Sequence, residues 1–316
     1  MKKIGVLTAV LTGSLMVAAC TTESPVENNE NEGNNGNNEA EGADNGEDYT
    51  IGFSVSTLNN PFFVTLEEHA EEYAEELGVE LITADAQDDD AGQVNDVEDL
   101  MQQDIDLLMI NPTDSDSVVS AIELANSEDI PVVTVDRGAE GGDVVSHVAS
   151  DNVEGGEMAA ELLVDLLGEG SEVAEIEGIP GSSAASERGE GFHNIAEDEL
   201  DVVTSQSADF DRSQGLSVME DMLQGNPDIE GVFAHNDEMA LGALETAEGS
   251  GNEDLEIVGF DATDDAVDAV EEGRLTATVA QQPDLIAEES LDAAVDYLDG
   301  EEIEDFIPVD LEMITE

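Results

Sequence analysis

The sequence predicts an α/β fold with two doubly wound parallel-sheet lobes. From Tyr49 onward, short apolar runs alternate with amphipathic segments, which is typical of β-α-β units on a parallel sheet with right-handed crossovers. The same alternation repeats after about residue 150 over a stretch of similar size. A chain of 316 residues is long enough for two domains, so we expect two lobes with a cleft between them.

The first lobe is predicted from apolar runs that alternate with helical patterns. In Pro61–Leu77 the apolar residues recur at helical spacing, as in an amphipathic helix. The predicted strands are Thr50–Ser56, Val79–Thr83, Asp106–Ile110 and Pro131–Arg137, and the predicted helices are Pro61–Leu77, Ala91–Gln103 and Ser115–Ser127.

The second lobe repeats this pattern and is followed by an extended tail, Phe306–Ile314. The predicted strands are Glu172–Glu177, Val202–Ser207, Gly231–His235, Glu256–Phe260 and Ala277–Gln281. The predicted helices are Gly155–Leu167, Ser183–Ala196, Arg212–Gln224, one that ends at Glu245, one before the last strand, and Pro283–Asp299.

The first residues read as an export signal. Lys2-Lys3 are followed by an apolar segment that is too short for a membrane span. The motif Val17-Ala18-Ala19-Cys20 resembles a bacterial lipobox, which predicts a signal peptide over residues 1–19 and lipidation of Cys20. A plain signal peptide that happens to end at Cys20 is the alternative. Residues 20–48 are acidic and nearly free of apolar side chains, so we expect a disordered tether between a lipid anchor and the folded lobes.

The net charge excludes some classes of ligand. The chain has 80 acidic and 6 basic residues, with a net charge of −74. Such a polyanion repels nucleic acids and anionic substrates, so a neutral ligand fits better. Molar salt shortens the Debye length to roughly 3 Å and screens self-repulsion, which leads to the hypothesis that the protein works in a salty medium.

Arginines are rare enough to be informative. After Lys3 there is no lysine, and the arginines are Arg137, Arg188, Arg212 and Arg274. Arg137 follows Asp136 where a predicted strand ends, and ligands bind at the carboxyl ends of strands in open α/β sheets. The pair is either part of a polar binding site or a local ion pair that caps a loop.

No enzymatic motif is present. The sequence has no dinucleotide fingerprint after a strand, no P-loop and no metal-ligand spacing of His or Cys. The four histidines are scattered. We therefore expect a protein that is not an enzyme and that carries no cofactor and no metal.

The strand ends resemble the ribose-binding members of the periplasmic binding protein family. The resemblance is carried, in order, by residues 56–63, 110–116, 133–137, 187–192, 208–212, 236–244, 258–261 and 280–281. It implies a type I fold in which two lobes are joined by three crossovers, near Ser150, Gln281 and Asp310. It also implies lobe boundaries of 50–150 plus 282–310 for the N-terminal lobe, and 151–281 plus 311–316 for the C-terminal lobe.

The resemblance also implies a set of sugar contacts. They are Ser56, Asn60, Phe62, Phe63, Asn111, Asp136, Arg137, Arg188, Phe210, Asn236, Asp261 and Gln281. The chemistry of the set suits a sugar, because phenylalanine rings pack on its C–H faces and the hydroxyls need both donors and acceptors. Two departures from the family pattern are His235, where glutamine is common, and Ser186, where arginine is common.

The implied function is that of an exported, lipid-anchored, monomeric protein that captures D-ribose, closes by hinge motion and delivers the sugar to an ABC-type permease. Two alternatives keep the binding module: another sugar such as allose, xylose or a furanosyl signal, or presentation of the ligand to a chemoreceptor. A glycosidase that uses Asp136 and Asp261 is a weaker alternative. It needs a carboxyl with a raised pKa, whereas we expect Arg137 to lower the pKa of Asp136.

Overall fold

The computed structural model describes residues 49–315. The predictions for the signal peptide, for Cys20 and for the tether lie outside the described residues. The described residues lie in one compact unit, and it contains two six-stranded sheets. Over residues 49–315, none of the helices combines the length and the apolar character that crossing a membrane requires.

The described residues form strands and helices that alternate along most of the chain. The strands are β1 (Thr50–Val55), β2 (Glu80–Asp85), β3 (Leu107–Ile110), β4 (Val132–Val135), β5 (Ser146–Ser150), β6 (Glu172–Glu177), β7 (Asp201–Ser207), β8 (Gly231–Ala234), β9 (Glu256–Asp261), β10 (Ala277–Ala280), β11 (Phe306–Val309) and β12 (Glu312–Thr315). The helices are α1 (Pro61–Leu77), α2 (Asp90–Met101), α3 (Val119–Ser127), α4 (Asn152–Leu167), α5 (Ser183–Glu199), α6 (Arg212–Gly225), α7 (Asp237–Ser250), α8 (Asp264–Glu271) and α9 (Pro283–Leu298).

The two sheets have the same strand order. The first runs β2–β1–β3–β4–β5–β11 with parallel pairing throughout. The second runs β7–β6–β8–β9–β10–β12, and only its last pair, β10 with β12, is antiparallel. In both sheets the order reverses beside the first strand, which is the switch point where doubly wound sheets bind ligands. The predicted fold class is confirmed.

The central strands of each sheet are buried on both faces, and successive side chains of a strand point to opposite sides. In β3, Leu107 and Met109 face one core cluster, and Leu108 and Ile110 face another. Helices cover both faces, and local signals fix their ends. At α1, for example, the Asn60 side chain accepts a hydrogen bond from the Phe62 amide at 3.0 Å, and Gly78 ends the helix with a φ of 77°.

Within residues 49–315 the chain passes between the two sheets three times. It leaves the first sheet after β5, at Ser150, and enters α4, which packs on β8, β9 and β10. It returns after β10, at Gln281, into α9, which packs on β3, β4 and β5. It passes over once more at Asp310, between β11 and β12. These three crossings lie at the positions that the resemblance implies.

The structure corrects three details of the sequence analysis. The strand predicted for Pro131–Arg137 ends at Val135, because Asp136 adopts a left-handed backbone with a φ of 62°. Strand β5 was not predicted. The predicted extended tail is two strands, β11 and β12, which belong to different sheets.

Candidate functional site

A small cavity lies where the carboxyl ends of strands from the two sheets face each other. Its lining includes every contact residue that the sequence analysis named except Ser56 and Asn111, and it adds Ala184. The lining residues are Asn60, Phe62, Phe63, Asp136, Arg137, Ala184, Arg188, Phe210, Asn236, Asp261 and Gln281.

Asp136 and Arg137 form the polar wall of the first lobe. Both are buried, and the Arg137 Nε lies 3.9 Å from the Asp136 Oδ2. Two polar atoms of this pair, the Asp136 Oδ1 and the Arg137 Nε, have no hydrogen-bond partner within the protein. Leaving such groups unpaired costs about 1–3 kcal/mol each, so they favour a ligand that offers both a donor and an acceptor.

Asn111 and Ser56 lie behind this wall and not on its surface. The Asn111 amide donates to the Asp136 Oδ2 at 3.3 Å and to the Val135 carbonyl at 2.9 Å. Its oxygen accepts from the Ser56 backbone amide at 3.2 Å. Both the nitrogen and the oxygen of the Asn111 side chain are therefore hydrogen-bonded, and these bonds orient the Asp136 carboxyl.

The expected lowering of the pKa of Asp136 is wrong. Burial raises the pKa of this carboxyl, and this effect outweighs the opposing effects of Arg137, Arg188 and the hydrogen bond from Asn111. Burial also raises the pKa of Asp261 well above its usual range, with Arg188 acting against it and Asp237 adding to it. The sequence showed the neighbouring arginine but not the depth of burial, which is the larger effect here.

Arg188, Asp261 and Gln281 form the polar wall of the second lobe. Arg188 is held by the Asn152 Oδ1 at 2.8 Å and by the His235 carbonyl at 2.6 Å, and its guanidinium lies 3.7 Å from the Asp261 Oδ1. Gln281 donates to the same Asp261 oxygen at 2.8 Å. The Gln281 Oε1 is buried without a hydrogen-bond partner, so this wall too offers an unsatisfied acceptor.

Aromatic rings from both lobes border the cavity. Phe62 and Phe63 are edge-to-face, with ring centroids 5.2 Å apart, and Phe210 comes from the second lobe. The Arg137 guanidinium carbon lies 4.9 Å from the Phe63 centroid and 5.3 Å from the Phe210 centroid. These contacts fix the charged group between rings of the two lobes.

Gly178 is a residue that the sequence analysis missed. A Cβ on Gly178 would lie 2.1 Å from the Cζ of Phe210, so only glycine allows the ring to occupy its position. Phe210 itself has a φ of 58°, which is unusual for a bulky residue. The available signal was a glycine that directly follows a predicted strand.

The two lobes also touch each other on one side of the cavity. The Ser115 amide donates to the Gly181 carbonyl at 2.9 Å, and the Gly138 amide donates to the Ser183 hydroxyl at 2.8 Å. Ser115 and Gly138 follow strands of the first sheet, and Gly181 and Ser183 belong to the second lobe. Direct hydrogen bonds therefore bridge the cleft in this structure.

Arg212 and Arg274 lie outside the cavity lining. Arg212 pairs with Glu238 and with Asp265, the latter at 2.9 Å. Arg274 pairs with Glu272 at 2.9 Å. The cavity combines two arginines with two aspartates, a balance that suits an uncharged polar ligand.

Comparisons with known proteins agree with this geometry. The family model described as "Periplasmic binding protein domain" matches residues 51–302. The ribose import binding protein of Bacillus subtilis (strain 168) is 51% identical over 311 residues, which cover 98% of each chain.

Solved structures give the same result. A solute-binding protein of an ABC transporter from Mycobacterium smegmatis, with bound glycerol, superposes with a TM-score of 0.82 at 35% identity, covering 85% of this chain and 94% of the other. A periplasmic solute-binding protein from Actinobacillus succinogenes 130z, with bound D-allose, gives a TM-score of 0.79 at 28% identity, covering 84% and 97%. The resemblance that the strand ends suggest is confirmed, and the chain belongs to the periplasmic binding protein family.

Proposed function

We propose that this protein captures D-ribose in the cavity between its lobes, closes on the sugar by hinge motion and delivers it to an ABC-type importer. The observation that carries this proposal is the set of buried polar atoms without partners, on Asp136, Arg137 and Gln281, beside phenylalanine rings from both lobes. A monosaccharide supplies hydroxyl donors and acceptors at its rim and C–H surfaces on its faces. The similarity to the ribose import binding protein of Bacillus subtilis supports the choice of D-ribose as the ligand.

The twelve contact residues of the sequence analysis are proposed as two layers. Those in the cavity lining touch the sugar, with the aspartates accepting from hydroxyls and the arginines donating to them. Asn111 and Ser56 support Asp136 from behind. A sugar that lacks one matching hydroxyl would leave a buried group unpaired, which is the physical basis of discrimination between sugars.

Hinge closure is supported by the three chain crossings and by the bridging hydrogen bonds. We propose the lobe boundaries given above, 50–150 plus 282–310 and 151–281 plus 311–316. The membership of β11 in the first sheet and of β12 in the second supports them. Rotation about the three crossings would break the Ser115–Gly181 and Gly138–Ser183 bonds and open the cavity to solvent. The closed form is the one that would dock on a permease.

A binding test separates the sugars. We expect isothermal titration of residues 47–316 in molar salt to show one-to-one binding of D-ribose, against a panel that contains D-allose, D-xylose and L-arabinose. Arg137→Ala should weaken binding by roughly 10- to 100-fold, because a buried charged donor is removed.

Arg274→Ala is the matched control, since Arg274 is paired on the surface away from the cavity, and it should bind as the unmodified protein does. If another sugar binds tightly and Arg137→Ala weakens its binding to the same extent, the proposed site is correct and the proposed ligand is not. D-allose is the first alternative, because the solved relative from Actinobacillus succinogenes contains it. No heat from any sugar would reject the proposal.

We also propose that Cys20 is lipidated and anchors the exported protein at the outer face of the cell membrane. The support is the lipobox-like motif Val17-Ala18-Ala19-Cys20. Labelling with a fatty-acid analogue should mark the wild type and not Cys20→Ser; an equal label in both would reject the anchor. We propose in addition that the protein is a monomer, which light scattering tests. Delivery of the sugar to a permease is tested by uptake assays, and presentation of the sugar to a chemoreceptor is the alternative role.

A further inference from the structure

A polar cluster, of which Glu175 and His235 are buried, lies behind the wall that the second lobe contributes to the cavity. It consists of Glu175, His193, Ser205 and His235, and we call it the histidine cluster. Glu175 lies in the middle of β6 and its side chain has no exposed surface. Its carboxylate accepts from the His235 Nε2 at 3.0 Å, from the His193 Nε2 at 3.0 Å and from the Ser205 hydroxyl at 2.6 Å.

The charge state of Glu175 fits these partners. Burial acts to raise the pKa of Glu175, but the hydrogen bonds from His235 and Ser205 bring the pKa below its usual value. An ionised carboxylate that accepts three hydrogen bonds holds its donors firmly. An ion buried this deeply is retained only where its geometry is satisfied.

The partners of His235 define its tautomer. The Gly178 backbone amide can only donate, and it faces the His235 Nδ1 at 3.4 Å. Nδ1 is therefore the acceptor, and the proton sits on Nε2, from which it is donated to Glu175. The imidazole thus links a buried carboxylate on one side to the Gly178 turn on the other.

This link reaches three residues of the cavity. The His235 carbonyl accepts from Arg188 at 2.6 Å, and Asn236 is the next residue in the chain. Gly178 provides the space for the Phe210 ring. A movement of the imidazole would therefore displace Arg188 and Asn236 and, through the turn at Gly178, Phe210.

We propose that the Glu175–His235 pair is a positioning element, which holds Arg188, Phe210 and Asn236 in binding geometry before the ligand arrives. The inference rests on the proposed binding function of the same cavity. His235 and Glu175 do not line the cavity, so they would act on the ligand only through other residues. They act through the main chain at residues 178 and 235.

Binding by variants tests the proposal. In residues 47–316, His235→Leu should weaken D-ribose binding by roughly 10- to 100-fold, because preorganisation of charged and ring contacts is lost. His235→Gln should bind D-ribose to within about threefold of the wild-type affinity, since an amide side chain can donate to Glu175 and accept from Gly178. His193→Gln is the matched control: it changes the same cluster on its exposed side and should leave binding within about threefold of the wild type.

A double variant separates positioning from folding. His235→Leu leaves Glu175 buried with fewer partners, which can prevent folding. Glu175→Leu/His235→Leu replaces the pair by apolar groups, which is often neutral for stability. We expect it to fold and still to bind about tenfold or more weakly. Wild-type affinity in this folded variant would overturn the proposal, as would equal losses in His235→Leu and His193→Gln.

Measurements without ligand keep this test independent of the sugar. Imidazole ¹⁵N spectra should show His235 as the Nε2–H tautomer, and amide hydrogen exchange at Gly178 should be faster in the double variant than in the wild type. If no sugar binds the wild type, the proposed function fails, while these two readouts still decide the positioning. A protonated Nδ1, or unchanged exchange at Gly178, would overturn it.

Discussion

At the scale of single residues, three residues that line the cavity have a backbone with positive φ. Asp136 and Phe210 have φ values of 62° and 58°, and Asp261 has a φ of 115°. Such conformations cost of order 1–3 kcal/mol each and persist only where the surrounding structure enforces them. Asp136 directly follows β4, Asp261 ends β9, and Phe210 lies in the turn after β7, so all three lie where the chain leaves a strand at the cleft. This strain is consistent with a site built for binding at the expense of stability.

Asp237 provides a pH-dependent prediction at this scale. Burial raises its pKa to about 7, against the hydrogen bonds from Thr278 and Thr263. Between about pH 4 and about pH 7 the folded state keeps a proton that the unfolded chain has lost, so the free energy of unfolding falls as the pH rises through this window. Below about pH 4 both states are protonated and the contribution of Asp237 is fully present.

The measurement is the free energy of unfolding of residues 47–316 as a function of pH at constant salt. The difference between the wild type and Asp237→Asn should change by on the order of 4 kcal/mol from pH 4 to pH 7. Asp228→Asn, at an exposed carboxyl before β8, should leave the profile unchanged. Parallel profiles for the wild type and Asp237→Asn would contradict the prediction. Taking differences matters because Asp136 and Asp261 contribute with the same sign.

At the scale of elements, glycines allow paired helices to approach closely. In α7, a Cβ on Gly242 would lie 2.2 Å from the Arg212 carbonyl oxygen of α6 and 2.7 Å from the Leu216 nitrogen. Both contacts are to backbone and cannot be relieved by a rotamer change. Gly249 lies in the same helix with nothing within 4 Å.

These two glycines make a matched pair. Gly242→Ala should destabilise the protein by about 1–3 kcal/mol or more, because α6 and α7 must move apart. Gly249→Ala should stabilise it by about 0.5–1 kcal/mol, because alanine favours the helix. Denaturant unfolding of both variants in molar salt measures the difference. A neutral Gly242→Ala would mean that the helices separate at little cost.

Elements were predictable where local signals suffice. The bounds of α1 agree with the prediction because Asn60-Pro61 and Gly78 mark its ends. Strand β5 was missed because its sequence, Ser146–Ser150, carries three polar residues, of which Ser146 and Ser150 are buried only by tertiary packing. The segment Phe306–Ile314 divides into two strands because its first part pairs with one sheet and its second part with the other. No local sequence pattern shows this pairing.

The same limit applies to the site. The strand ends and their resemblance to a family identified the cavity lining. The histidine cluster was not foreseen, because it joins residues from β6, α5, β7 and the position after β8 that are far apart in the sequence. The pKa of Asp136 was misjudged for a related reason, since burial is a property of the folded chain.

At the scale of the whole molecule, the surface is almost uniformly negative. The chain has a net charge of −74, and of its arginines two are buried in the cavity and two are paired with carboxylates. Self-repulsion of this size opposes the compact state. Screening by molar salt should therefore stabilise the fold.

A salt series tests this prediction. The thermal midpoint of residues 47–316 should rise steadily from about 0.05 M to about 2 M NaCl, as the Debye length falls from roughly 14 Å to roughly 2 Å. Sucrose at equal osmolality is the control for excluded-volume effects and should raise the midpoint less. A midpoint that is already at its maximum in dilute buffer, without salt or ligand, would refute the hypothesis of a salty working medium.

The positions of β11 and β12 in the chain have a consequence for folding during synthesis. Strands β11 and β12 lie within ten positions of each other, at Phe306–Thr315, yet each closes the edge of a different sheet. Helix α9, which covers the first sheet, also comes late, at Pro283–Leu298. A nascent chain on the ribosome can therefore complete neither lobe until residues 306–315 have been made. A frameshift or stop before Phe306 would remove an edge strand from both lobes at once.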